Sequence, residues 1–89
     1  MNDAFYNEFK NILLPLKEKG WLFLKLEKNE ILMRKQFQQL EEIKINSLGD
    51  SIEFVLPMEN PSFSFYKRMK NDTQCIDFFK NYITSILYL

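Results

Sequence analysis

The sequence has no histidine, one cysteine, two glycines and three prolines, and its twelve basic residues balance twelve acidic ones. Each scarcity excludes something. Without histidine the chain lacks the commonest general base, the commonest zinc ligand and the imidazole of Ser/His and Cys/His nucleophile systems. A lone Cys75 builds no internal disulfide, thiolate metal site or CxxC redox pair. Stability must then come from packing, and a single thiol suits a reducing, cytoplasmic compartment. No run approaches the roughly 18 apolar residues of a membrane span; the best, Ile83 to Leu89, is broken by Thr84 and Ser85. Residues Met1 to Tyr6 show neither the basic nor the apolar part of a signal peptide. The zero net charge gives no general pull toward nucleic acid or anionic lipid, and little repulsion between copies.

Phosphate-binding and dinucleotide-binding glycine loops and the HExxH zinc motif are also missing. Together these absences disfavour an ordinary hydrolase, kinase or dehydrogenase, and the expectation is a non-enzyme with no cofactor and no metal. Glu41, Glu42, Asp50 and Glu53 are the one carboxylate group that invites acid/base or Mg²⁺ chemistry. Alternation along strands makes them, more simply, a solvated face. Cys75, expected in the first turn of the last helix, is either activated by the helix dipole or a small apolar residue near the core. The second reading is preferred.

What the chain does have is apolar and aromatic mass. Apolar residues make up 46% and aromatic ones 16%, with nine Phe, four Tyr and one Trp in 89 residues. That length fits one domain over 1–89. Each ring buries about 150–250 Å², so a small interior fills quickly and some rings are expected to remain for a surface.

Periodicity and punctuation give the elements. Phe5, Phe9, Ile12, Leu13 and Leu16 recur on one helical face, with Asn2 or Asp3 to cap it and Lys17, Lys19 and Gly20 to end it. Pro15 should kink or split that helix. Trp21 to Glu27 alternates as a strand, and its all-leucine face, Leu22, Leu24 and Leu26, is expected to meet the core. Trp21 and Phe23 then fall on the opposite face. Asn29 reads as the turn of a hairpin returning along Ile31 to Gln36; the alternative is a third helix at about 30–44. Ile43 and Ile45, a Ser47–Asp50 turn, then Ile52, Phe54 and Leu56 make a hairpin that Pro57 stops. Phe63 to Arg68 alternates as a final strand. Asn71 with Gln74 opens a last helix carrying Ile76, Phe79, Ile83, Ile86 and Leu87. The expected fold is α+β: a mainly antiparallel sheet of four or five strands flanked by an N-terminal and a C-terminal helix.

Elimination and surface character then point to non-catalytic protein binding. The profile is that of small inhibitors, immunity proteins and adaptors of bacteria or their viruses, which occlude a partner's surface with shape and anchors rather than reactive groups. Trp21, Phe23 and Tyr66 are the expected anchors, with Lys67 and Arg68 as a charged rim. Two alternatives stand beside this. Phe63, Phe65, Lys67 and Arg68 place rings beside cations, a combination that binds single-stranded nucleic acid. Tyr82, Ile86, Tyr88 and Leu89 widen the apolar sector of the last helix and suit a homodimer. The partner is thus another protein or a second copy, with nucleic acid disfavoured by the charge balance and no membrane.

Overall fold

A computed structural model of the chain describes residues 1–36, 41–57, 64–70 and 73–87. Helix α1 runs Asp3–Leu13, opened by Asn2, whose side chain accepts from Phe5 N at 2.8 Å. One more turn would bring the helix to Pro15, whose ring tolerates only the first positions of a helix. The backbone therefore tightens into a separate 3₁₀ segment, Leu14–Lys19, with the proline at its start. Gly20 closes that segment at φ 91°, a left-handed conformation that costs glycine little. The expected split of the first helix is thus observed.

Five strands follow: β1 Trp21–Glu27, β2 Glu30–Lys35, β3 Glu42–Leu48, β4 Ser51–Pro57 and β5 Ser64–Lys70; helix α2, Thr73–Leu87, ends the described chain. The strands form one antiparallel sheet in the order β1-β2-β3-β4-β5, so every neighbour in sequence is a neighbour in space. The α+β expectation holds. The hairpin reading of β1–β2 holds as well, and a third helix at about 30–44 does not form: strand β2 occupies its start and β3 its end. Residues 37–40 lie outside the described chain, as do Phe63 and Asn71, which were expected to begin the last strand and cap the last helix.

The helices cover one face of the sheet. Phe9 and Leu13 of α1, Leu16 of the 3₁₀ segment, and Cys75, Phe79 and Ile83 of α2 are buried against Ile31, Met33, Ile43, Ile45, Ile52, Phe54 and Leu56. At the centre Phe54 and Phe79 stack at 5.2 Å, while Phe9 meets them edge-on at 5.8 and 5.4 Å. Such ring pairs contribute about 0.5–1.5 kcal/mol each beyond area burial, and here they join both helices to the middle of β4. At one end the Tyr82 hydroxyl of α2 donates to the Pro57 carbonyl that closes β4. At the other, Lys28 in the β1–β2 turn pairs with Asp3 at 2.5 Å.

Strand β1 requires a correction. Its leucine face does not meet the core: Leu22, Leu24 and Leu26 are 43%, 50% and 37% exposed, whereas Trp21 is 3% exposed and Phe23 packs against the core. The register gives the reason. Trp21 and Phe23 stand opposite Lys35 and Met33, and directly opposed residues share a face. Met33 points to the helices, so Phe23 does too. The register then slips between Phe23 and Lys25, leaving Leu24 as a bulge. Past it the parity reverses: Lys25 pairs with Leu32 on the outer face, and Leu26 with buried Ile31 on the inner one. The three leucines therefore share no face.

Candidate functional site

The sheet is amphipathic by strand alternation. Among the described residues no element packs on its outer face, where two cross-strand rows span all five strands. One row reads Lys25, Leu32, Lys44, Val55, Tyr66 across all five strands. The next reads Glu27, Glu30, Asn46, Glu53, Arg68. Tyr66, on the edge strand, is 57% exposed, while Leu32 and Val55 are half-buried between their neighbours.

The charges are arranged to hold one another. Lys25 donates to Glu30 at 3.1 Å and lies 3.9 Å from Glu27; Lys44 reaches the other Glu30 oxygen at 4.0 Å. The Glu30 hydrogen bond, with the charges of Glu30 and Glu27, holds the Lys25 ammonium above its usual pKa. At the far end of the sheet Arg34 makes two contacts to Glu42 Oε1, at 2.9 and 2.6 Å. Glu53 accepts from Tyr66 Oη at 2.9 Å and from Asn46 Nδ2 at 3.3 Å, and Arg68 sends Nε to Ser51 Oγ at 3.2 Å. The hydrogen bond to Glu53, aided by desolvation and by that carboxylate's charge, raises the Tyr66 phenol above its ordinary value; Arg68 acts weakly the other way.

The expected anchors do not converge. Trp21 is a core residue and Phe23 lines the inner face, so neither shares a surface with Tyr66; this corrects their placement as surface rings. The rim residues separate too. Arg68 is on the outer face, whereas Lys67 is opposite Phe54 on the inner one, its Nζ 5.4 Å from the Phe78 ring centre. Phe9, Trp21, Phe54 and Phe79 are buried and Phe5, Tyr6, Phe23, Phe78 and Tyr82 pack on the core, so most of the expected surplus of surface rings is taken up there, and Tyr66 is the ring that stands exposed among these. What the surface shows instead is aliphatic: Leu14, Leu22, Leu24, Leu26 and Leu48. For the nucleic-acid alternative, Phe63 lies outside the described residues, and Phe65 pairs with Leu56 along the β4–β5 ladder. For the dimer alternative, Tyr82 packs on the core. Ile86 belongs to α2, and Tyr88 and Leu89 lie outside the described residues.

Leu32 and Val55 are the members of the outer face that sequence reasoning passed over. Alternation in β2 and β4 already set them opposite Ile31 and Phe54; only the register showed that they lie in one row with Tyr66. The carboxylates form no cluster: Glu41 pairs with Lys35 at 3.4 Å, Glu42 with Arg34, Glu53 with Tyr66 and Asn46, and Asp50 is exposed in the β3–β4 turn. Among the described residues no three His, Cys, Asp or Glu side chains come together as a metal site, and no helix is long and apolar enough to cross a membrane. Cys75 is fully buried beside Phe79 and Ile83 in the core cluster.

Comparison of the chain with protein-family models, with curated proteins and with solved structures finds no match.

Proposed function

We propose that this chain is a non-catalytic protein-binding module that occludes a partner's working surface with the open face of its sheet. The observation that carries the reading is the row Leu32–Lys44–Val55–Tyr66: apolar and aromatic contacts set between side chains already held by ion pairs, on a face that no described element covers. Groups fixed before association lose less entropy on binding. Tyrosine is enriched among residues that anchor protein interfaces, and a polar rim is their usual border. Tyr66 therefore takes the anchor role first expected of three rings, and Arg68 stays at the rim. The single buried thiol suits a reducing, cytoplasmic setting. Inhibitors, immunity proteins and adaptors are the functional types this reading covers.

The test is capture of a partner from native lysate with three forms of the chain. The unaltered chain and a control changed on the helix layer, Lys17→Ala, should retain the same protein. Tyr66→Ala with Leu32→Ser should lose it while unfolding at a similar temperature. Equal retention by all three would refute the outer face as the binding surface. Single-stranded nucleic-acid binding is the weaker reading, because on the outer face Lys25, Arg34 and Lys44 are already matched by carboxylates, which leaves there only the cations of β5 without one among the described residues. Phosphate-driven capture would weaken steeply with salt. A homodimer would show as a doubled mass in solution.

A further inference from the structure

The two rims of the sheet differ in shape and in charge. β1 and β5 are its terminal strands. The rim of β1 is broken by the bulge at Leu24, a device that hinders addition of another strand. β5 pairs with β4 without a slip over all seven residues, from Ser64 opposite Pro57 to Lys70 opposite Ser51. Its outer rim is therefore regular, and among the described residues no strand occupies it.

The charge contrast is sharper. On the other strands Lys25, Arg34, Lys35 and Lys44 each pair with a carboxylate. On β5 none of the three cations does so among the described residues: Lys67 lies over Phe78, Arg68 donates to Ser51, and Lys70 is exposed. Glu53, directly opposite Arg68, gives its oxygens to Tyr66 and Asn46.

We propose that the rim of β5 accepts, as a sixth strand, an acidic extended segment of a partner protein. The inference rests on the protein-binding reading and names the chemistry of the partner. Main-chain amides and carbonyls of an edge strand supply the affinity in strand addition, and side chains at alternate positions supply the specificity. Arg68 and Lys70 share the outer face, two residues apart, so the segment carries carboxylates at alternate positions opposite them. Between these it places an apolar residue toward Met69, which is half-buried on the inner face. A second β5 is rejected, because cations would face cations. Nucleic acid lacks the amide ladder that the rim offers.

The probe is a fluorescent peptide, Thr-Glu-Val-Glu-Val-Glu-Thr, titrated with the full chain and followed by anisotropy. The acidic peptide should bind. Methylating its alternate backbone amides, or changing the chain to Arg68→Glu with Lys70→Glu, should weaken binding by at least about tenfold, equivalent to roughly 1.4 kcal/mol. The charge-reversed chain should instead take the peptide with Lys in place of Glu. Equal binding of the methylated peptide would leave only charge attraction and overturn strand addition. Tighter binding of an oligothymidylate would reassign the rim to nucleic acid. If the acidic peptide fails to bind up to about 1 mM while Tyr66→Ala with Leu32→Ser still loses its captured protein, the rim inference falls and the outer-face reading survives.

Discussion

Tyr66 donates its hydroxyl to Glu53 Oε2 at 2.9 Å, although Arg68 is the residue that faces Glu53 across the β4–β5 ladder. The diagonal contact ties the exposed ring to the neighbouring strand and leaves the guanidinium on Ser51. It also raises the phenol pKa, because the bond to Glu53 exists only while the phenol is protonated. In Glu53→Gln the Tyr66 pKa should fall toward the usual tyrosine value, read by NMR titration of isotope-labelled tyrosine with Tyr66→Phe assigning the signal. An unchanged pKa would show that the contact does not persist in solution.

Trp21 and Leu24 should exchange the roles that their positions in the sequence suggest. Trp21→Ala removes a buried ring and should cost about 3–5 kcal/mol, whereas Leu24→Ser at the exposed bulge should change stability by about 0.5 kcal/mol or less. Urea unfolding measures both. Trp21 is the sole tryptophan, so its native fluorescence should resist quenching by iodide and shift to the red on unfolding. The reverse ranking of the two variants would mean that the leucines face the core.

Tyr82 gives the fold an alkaline limit. Burial, with the charge of Glu41 adding, pushes its pKa up to about 12, and its hydroxyl donates to Pro57 O. An unfolded tyrosine titrates near 10. Because the folded value is the higher one, this stabilisation is complete below about pH 10 and is lost as the pH rises through about 12. Tyr82→Phe should cost about 1 kcal/mol at about pH 8, and its deficit relative to the unaltered chain should shrink above about pH 10. A deficit constant across that range would contradict the burial of the phenol.

Cys75 should behave as a core residue. It is fully buried, so a thiol reagent such as dithionitrobenzoate should label it only as fast as the helix layer opens, and completely once denaturant is added. Rapid labelling of the folded chain would place the thiol at the surface.

The elements were legible in the sequence because local chemistry sets them. Pro15 stops α1, and Gly20 and Gly49 hold the positive φ angles, 91° and 74°, that close the 3₁₀ segment and the β3–β4 turn. Alternation marks each strand, and in β3 and β4 it also names the buried side, since Lys44, Asn46 and Glu53 oppose Ile43, Ile45, Ile52 and Phe54. β1 is different: both its faces begin apolar, so period 2 separates Trp21 and Phe23 from Leu22 and Leu24 without saying which pair points inward. The candidate site suffered from the same ambiguity. Tyr66 and Arg68 were identified and lie on the open face, but Trp21 and Phe23 were assigned to the wrong surface.

By itself, then, the sequence determined which elements form and in what order, the α+β class, and the lack of histidine or paired thiols for common chemistries. These depend on residue type and on neighbours a few positions away. The tertiary structure alone decided the inward face of β1, the outer row that unites Leu32, Val55 and Tyr66, and the cations of β5 that have no carboxylate partner among the described residues. Those depend on register between strands. A one-residue slip, such as the bulge at Leu24, reverses the facing of the residues beyond it while leaving the local pattern unchanged.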